Sequence, residues 1–176
     1  MRKILFVVDE RQMGGVSVLL DDILKRINLR KFDVDVMVLH NNGDYLDDLP
    51  EGVDVIYGSP FFEVVDLSLK EVIKTKNIFK IIKKICLVFL MKTGLIKGKI
   101  KKERKKCLSK KYDTEVAFKD GFTALFTAYG DSEKKIHWLH TDYVMHDCTA
   151  KYHNLFEKIF PLFDKIIGIS HAVVER

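Results

Sequence analysis

The sequence is poor in the features that mark disulfide-rich, metal-binding and membrane-spanning proteins. It has three widely separated cysteines and no C-x-x-C pair, so it encodes neither a disulfide framework nor a structural zinc site. The longest apolar run, residues 85–91, has seven residues, whereas a membrane-spanning helix needs about 18 to 20. The first apolar stretch, residues 4–8, is too short for a secretory signal. We therefore expect a cytoplasmic protein.

Acidic residues are scarce in one segment of the chain. Residues 70–111 contain 16 Lys and Arg against two Glu, a net charge of +14, whereas the whole chain has a net charge of +5. Its apolar residues recur at helical spacing. They include Ile78, Ile81, Ile82, Ile85 and Phe89. A basic amphipathic helix favours contact with anionic lipid, and a solvated helix face is the alternative. The residues predicted to face the membrane are Lys74, Lys80, Lys83, Lys84, Lys101 and Lys102.

Nucleic acid is disfavoured as a partner of this basic segment. The segment contains no interleaved exposed aromatic residues, no RNP sequence and no helix-turn-helix signal. We therefore expect no nucleic-acid binding.

Apolar runs of strand length alternate with helical patterns along the chain, which is typical of βαβ units. The sequence thus predicts an α/β fold, a Rossmann-like parallel sheet flanked by helices. Strands are predicted at residues 4–8, 32–39, 53–57, 112–118, 135–139 and 165–169, and helices at 16–28, 68–91, 122–129 and about 148–163. Residues 95–108 are compatible with a short helix or a loop. In the second strand, Val34, Val36 and Val38 alternate with Asp33, Asp35 and Met37. This alternation places Asp33, Asp35 and Met37 on a more exposed face.

Polar residues follow three of the predicted strands. In open α/β sheets, ligands bind in the crevice beyond the carboxyl ends of the strands. The residues predicted to bind substrate there are Asp120, Gly121, Thr141, Asp142 and Ser170, with His140 as the side chain that reaches the crevice. His137 points to the opposite face of its strand and is expected to pack against a helix, so the two histidines do not share a metal ion. Cys148 lacks a recognisable third partner for nucleophilic catalysis.

Gly14 and Gly15 lie between the first strand and its helix. Without a Cβ, their backbone N–H groups can approach an anionic ligand at the positive end of the helix dipole. A tight turn without a ligand is the alternative. Residues 14–19 read GGVSVL, which is neither G-x-G-x-x-G nor a P-loop, so a dinucleotide site is disfavoured.

Four segments resemble, in order and spacing, the opening domain of family-4 retaining glycosyltransferases of bacterial surface-polysaccharide pathways. Residues 3–20 combine the strand KILFVVD with Met-Gly-Gly and a Leu-Leu helix. Residues 112–118 (YDTEVAF) are similar to the family's YD-x-E-x-AF strand and residues 136–142 (IHWLHTD) to its x-x-W-x-HTD segment. Residues 163–170 (FDKIIGIS) are similar to its FD-K-I-x-x-x-S strand, so the resemblance covers essentially all 176 residues.

The resemblance implies a GT-B architecture, in which two Rossmann-like domains face each other across a cleft. The N-terminal domain, residues 1–176 here, chiefly holds a saccharide acceptor, which is often lipid-linked, and the C-terminal domain holds a nucleotide-sugar donor. Gly14 and Gly15 are then expected to approach the donor phosphate and the acceptor, and His140 to lie beside the transferred sugar as the catalytic residue. No cofactor or metal is implied. The basic segment would attach the protein to the inner face of the membrane.

The sequence departs from the family pattern in two places. Residues 16–18 read VSV where many relatives have Ala-Glu-Arg, and nothing in residues 1–176 matches the E-x7-E segment of the second domain. We therefore expect these 176 residues alone not to transfer sugar. Two alternatives are another GT-B-like or epimerase-like sugar-nucleotide enzyme, and a non-enzymatic module that docks on an anionic membrane or an acidic partner.

Overall fold

The computed structural model describes residues 1–9, 14–40, 49–140 and 158–169. These residues contain a six-stranded, all-parallel sheet flanked by helices, which confirms the predicted Rossmann-like α/β fold. The strands are β1 (Arg2–Val8), β2 (Phe32–Val38), β3 (Val53–Tyr57), β4 (Thr114–Ala117), β5 (Lys134–Leu139) and β6 (Lys165–Gly168). The helices are α1 (Gly15–Arg26), α2 (Leu69–Lys74), α3 (Ile78–Thr93), α4 (Ile96–Cys107) and α5 (Phe122–Ala128), with 3-10 turns at Phe62–Val64 and Phe160–Leu162.

The strand order is β3-β2-β1-β4-β5-β6, which places β1 inside the sheet. The chain leaves β1 towards β2 and β3 on one side and later adds β4, β5 and β6 on the other. The direction of winding therefore changes between β1 and β4, where open α/β sheets bind ligands. β1 is apolar throughout its second half because both of its faces are covered: Leu5 and Val7 face one core, and Phe6 and Val8 the other.

Helix α1 covers the face of the sheet to which Phe6 and Val8 point. Its apolar stripe places Leu20 and Leu24 against Val34, Val36 and Val38 of β2, and both leucines are fully buried. The outward side of α1 carries Asp22, Lys25 and Arg26, so this helix has the ordinary amphipathic arrangement.

The opposite face of the sheet is covered by the helices that follow β3 and β4. Leu87 of α3, Ile96 of α4 and Phe126 of α5 join one core with Leu5 and Val7 of β1. Phe62 of the first 3-10 turn contacts Phe126 edge to face at a centroid distance of 5.6 Å. These contacts attach the basic segment to the sheet.

The prediction of an exposed face on β2 is wrong for Asp35 and Met37, which are both buried. The carboxylate of Asp35 accepts a hydrogen bond from the Tyr112 hydroxyl and pairs with Lys110 Nζ at 2.9 Å. Burial and the neighbouring Asp35 raise the pKa of Tyr112, so its hydroxyl stays protonated and donates. The segment between α4 and β4 thus covers a charge that the alternating pattern predicts to be solvated.

The predicted helix at residues 68–91 is two helices, because the chain turns at Thr75–Asn77. Lys76 has a φ of 53°, which a continuous helix does not allow. Asn77 then caps α3: its side-chain oxygen accepts hydrogen bonds from the backbone N–H groups of Phe79 and Lys80. For residues 95–108 the helical alternative is confirmed by α4.

The structure corrects the prediction that Lys84 faces a membrane. Lys84 is buried, and its ammonium donates hydrogen bonds to the carbonyl oxygens of Val64 at 3.0 Å and Val65 at 3.1 Å. These carbonyls end the 3-10 turn Phe62–Val64, where exposed C=O groups attract a cation. Lys83 is half-buried and donates to the Pro60 carbonyl at 3.1 Å, whereas Lys74, Lys101 and Lys102 are exposed.

The predicted helix at residues 148–163 lies largely outside the described residues.

Among the described helices, none is long and apolar enough to cross a membrane.

Candidate functional site

The carboxyl ends of β1, β4 and β5 bring polar residues to one edge of the sheet, at the change of winding direction. We call this place the switch-point edge. Its described members are Asp9, Gly14, Gly15, Lys119, Asp120, Gly121 and His140.

Gly14 and Gly15 begin helix α1 at this edge. Gly14 is the N-cap residue and supplies no side-chain hydrogen bond to the first turn. Its extended backbone, with φ at −176°, is open to any residue, so local conformation does not require glycine here. A Cβ added to Gly15 would meet nothing within 4 Å. The start of α1 therefore combines backbone donors and a positive dipole end with open space in front of Gly15.

Gly121, in contrast, is explained by its backbone alone. Its φ of 85° and ψ of −132° lie in a region that L-residues rarely adopt. This conformation turns the chain from β4 into α5, and the Thr123 hydroxyl donates a hydrogen bond back to the Lys119 carbonyl. The turn fixes the positions of Lys119 and Asp120.

An ion pair joins the two strands at the change of winding direction. Lys119 Nζ, after β4, lies 2.5 Å from Asp9 Oδ2, after β1. The Asp9 carbonyl also accepts a hydrogen bond from the His40 backbone N–H at 2.7 Å, which ties in the end of β2. The Lys119 side chain is partly exposed, whereas Asp9 is less so.

Asp120 faces a buried partner. Its Oδ1 lies 3.3 Å from Nε2 of His137, which is fully inaccessible to solvent. The His137 ring also stacks on Phe163 at a centroid distance of 5.0 Å and on Phe160 at 5.9 Å. His137 is therefore packed, as predicted, although its aromatic partners belong to the 3-10 turn and the loop before β6.

His140 follows β5 and lies on the other face of the strand, as the alternation predicts. Its imidazole lies against the rings of Phe118, at a centroid distance of 5.2 Å, and Trp138, at 6.4 Å. Burial lowers the pKa of His140 and outweighs the nearby Asp120 carboxylate and a hydrogen bond to the Phe118 backbone, which both raise it. The ring is therefore neutral at pH 7.

One ring nitrogen of His140 is buried. Within the described part of the chain, Nε2 is buried and has no hydrogen-bond partner. The imidazole as a whole is partly exposed at the switch-point edge.

The structure thus brings His140 and four of the predicted substrate-binding residues to the switch-point edge. These four are Gly14, Gly15, Asp120 and Gly121. Thr141, Asp142, Ser170 and Cys148 lie outside the described residues. Asp9 and Lys119 are members of the edge that were not among the predicted site residues. Their signal is simple: each is a charged residue that closely follows a buried strand.

The described residues hold no group of three His, Cys, Asp or Glu side chains that could bind a metal ion.

No model of a known protein family matches the chain, and a search of curated proteins found no match.

Proposed function

We propose that this chain is the acceptor-side domain of a glycosyltransferase, which transfers a sugar from a nucleotide-sugar donor to a lipid-linked saccharide acceptor in cell-surface polysaccharide synthesis. The observation that carries the proposal is the position of His140. It lies at the carboxyl end of β5, partly exposed and with a neutral ring, on the same sheet edge as the glycine start of α1. The motif resemblance of the sequence supports the same assignment.

Sugar transfer requires stabilisation of a departing nucleoside diphosphate and of an oxocarbenium-like sugar. The first-turn N–H groups of α1 are donors suited to a phosphate, and Gly15 leaves room for its approach. Lys119 adds a cation that can contact an acceptor phosphate. The neutral His140 imidazole forms a hydrogen bond with a sugar hydroxyl and so positions the transferred sugar.

The experiment that tests this proposal uses the full-length gene product, because the resemblance assigns donor binding to a second domain. Release of nucleoside diphosphate is measured with UDP-glucose, UDP-N-acetylglucosamine and GDP-mannose. We expect turnover by the intact protein and none by the 176 residues alone. His140→Phe keeps a ring of similar size against Phe118 and Trp138 but removes Nε2, and we expect about 100-fold slower turnover.

A matched pair of glycine variants tests the phosphate role of α1. Gly15→Ala and Gly98→Ala each place a methyl group on a helix where nothing lies within 4 Å, so both should fold normally. Only Gly15→Ala should weaken turnover, by at least tenfold, because its methyl group enters the space assigned to the phosphate. Equal turnover of both variants would show that the start of α1 does not bind the phosphate.

Absence of turnover with every donor, or wild-type turnover by His140→Phe, would contradict the glycosyltransferase proposal. The non-enzymatic binding module would then be the better interpretation of the fold.

A further inference from the structure

The outward face of α3 is apolar, although α3 belongs to the most basic part of the chain. Its exposed side chains include Ile78, Phe79, Ile82, Ile85 and Phe89, which are between 57% and 73% exposed. We call these five residues the α3 apolar face. Helix α2, which packs against α3, adds the exposed Leu69 and Ile73. Clustered exposure of this kind marks an interaction surface.

The residues of the α3 apolar face do not contribute to the packing of α3 on the sheet. On the inward side of α3, Leu87 supplies the packing and Lys84 is held by two backbone carbonyls. The helix is thus attached to the sheet without using Ile82, Ile85 or Phe89. Their exposure therefore points to something outside the described residues that covers them.

Positive charge borders the α3 apolar face. The exposed basic residues of α2, α3, α4 and their connections are Lys70, Lys74, Lys76, Lys92, Lys97, Lys101, Lys102, Lys105 and Lys106. Of the two glutamates in residues 70–111, Glu71 is hydrogen-bonded to Ser68 and Glu103 is buried between Lys99 and Lys106. The helices that carry and adjoin this face therefore have a large net positive charge, which opposes pairing with a second copy of the same face.

We infer that the α3 apolar face docks on an anionic lipid bilayer, with α3 lying in the plane of the interface. Ile78, Ile82, Ile85 and Phe89 then enter the boundary between head groups and acyl chains, and the bordering lysines contact anionic head groups. Anionic lipid is the occupant that matches an apolar centre and a cationic border together. The inference stands on this surface alone and does not depend on the proposed transfer reaction.

The test is co-sedimentation of the purified chain with phosphatidylcholine vesicles and with vesicles containing 30% phosphatidylglycerol, at low and high salt. We expect binding to the anionic vesicles, weakened by salt. The double variant Ile82→Gln/Ile85→Gln leaves the charge unchanged and should weaken binding by at least tenfold. Val18→Gln is the matched control, because Val18 is 60% exposed but lies on α1, on the opposite face of the sheet, and it should bind as the wild type does.

A spectroscopic probe reports insertion directly. In Phe79→Trp the new indole should shift its emission to shorter wavelength on anionic vesicles, relative to wild type, in which Trp138 is the only tryptophan. Circular dichroism confirms that every variant is folded. The inference is overturned if the wild type ignores anionic vesicles, or if only Lys101→Gln/Lys102→Gln loses binding while Ile82→Gln/Ile85→Gln retains it. It is also overturned if the face instead mediates self-association that depends on Ile82 and Ile85.

Discussion

Helices α1 and α3 both pack apolar residues on the sheet, but only α3 also exposes a row of apolar residues. Helix α1 buries Leu20 and Leu24 and exposes charged residues. Helix α3 exposes Ile82 and Ile85, together with other apolar residues, and buries Lys84 on its inward side. An apolar stripe in a sequence therefore predicts a helix and its faces, and it does not by itself say which face meets the core.

The difference has a local electrostatic cause. The inward side of α3 meets the carbonyl end of a 3-10 turn, which binds an ammonium group better than it binds a methyl group. Helix α4 continues this arrangement, since Glu103 and Arg104 are also buried and paired. The basic segment is thus attached to the sheet partly by buried charges, while Ile82, Ile85 and Phe89 lie on its outer surface.

Truncation of one leucine in α1 and one isoleucine in α3 should have very different effects on stability. Leu24→Ala in α1 should lower the free energy of unfolding by about 2–5 kcal/mol, because it opens a cavity in a closed core. Ile82→Ala in α3 should change it by less than about 0.5 kcal/mol, because Ile82 is exposed. Urea unfolding followed by circular dichroism measures both values. Equal losses would mean that Ile82 is packed, and the assigned orientation of α3 would be incorrect.

Acid should destabilise the basic helices through Glu103. Although burial raises its pKa, hydrogen bonds from Lys106, Lys99 and Ser59 prevail and lower it to about 2 from an ordinary 4.5. Because the folded-state pKa is depressed, the stabilisation is fully present above pH 4.5 and is lost as the pH falls through about 2. We expect a loss of about 2 kcal/mol across this window.

The control for this pH effect is Glu103→Gln, which cannot titrate. Its unfolding free energy at pH 6 should be lower than that of the wild type, and the difference between the two proteins should shrink as the pH falls towards 2. A constant difference over this range would show that Glu103 has an ordinary pKa.

Removal of the buried ammonium should have a smaller effect. Lys84→Met keeps most of the side-chain volume but leaves the Val64 and Val65 carbonyls without their donor, so we expect a loss of about 1–2 kcal/mol in the free energy of unfolding. Lys92→Met, on the exposed side of the same helix, should stay within about 0.5 kcal/mol of the wild type. A stabilising effect of Lys84→Met would mean that apolar packing could have replaced the buried charge.

The fold could be predicted largely from the sequence because its signals are local. The continuous apolar run of β1 and the 3.6-residue spacing in α1 each require only a few neighbouring residues to be seen. The exposed face predicted for β2 failed for a non-local reason, since the residues that cover Asp35 are Lys110 and Tyr112, more than 70 positions later. The break between α2 and α3 was missed because Thr75–Asn77 contains neither Gly nor Pro.

The candidate site was predictable in position and less so in detail. Strand ends indicate where a crevice lies, and His140 was found because it follows β5 on the face opposite to His137. The pairing of Asp120 with His137 depends on how the Gly121 turn aims its neighbour, which no residue pattern encodes. The Asp9–Lys119 pair joins residues 110 positions apart, and only the strand order brings them together.

The smallest effect is expected at the start of α3, where Asn77 both caps the helix and fixes the turn that separates it from α2. Asn77→Ala removes the acceptor for the Phe79 and Lys80 N–H groups and should lower the free energy of unfolding by about 1 kcal/mol. Asn77→Gly should cost only a few tenths of a kcal/mol, because glycine leaves these N–H groups accessible to water. Urea unfolding of the two variants measures the difference. If Asn77→Ala is as stable as the wild type, the side-chain cap contributes nothing to stability.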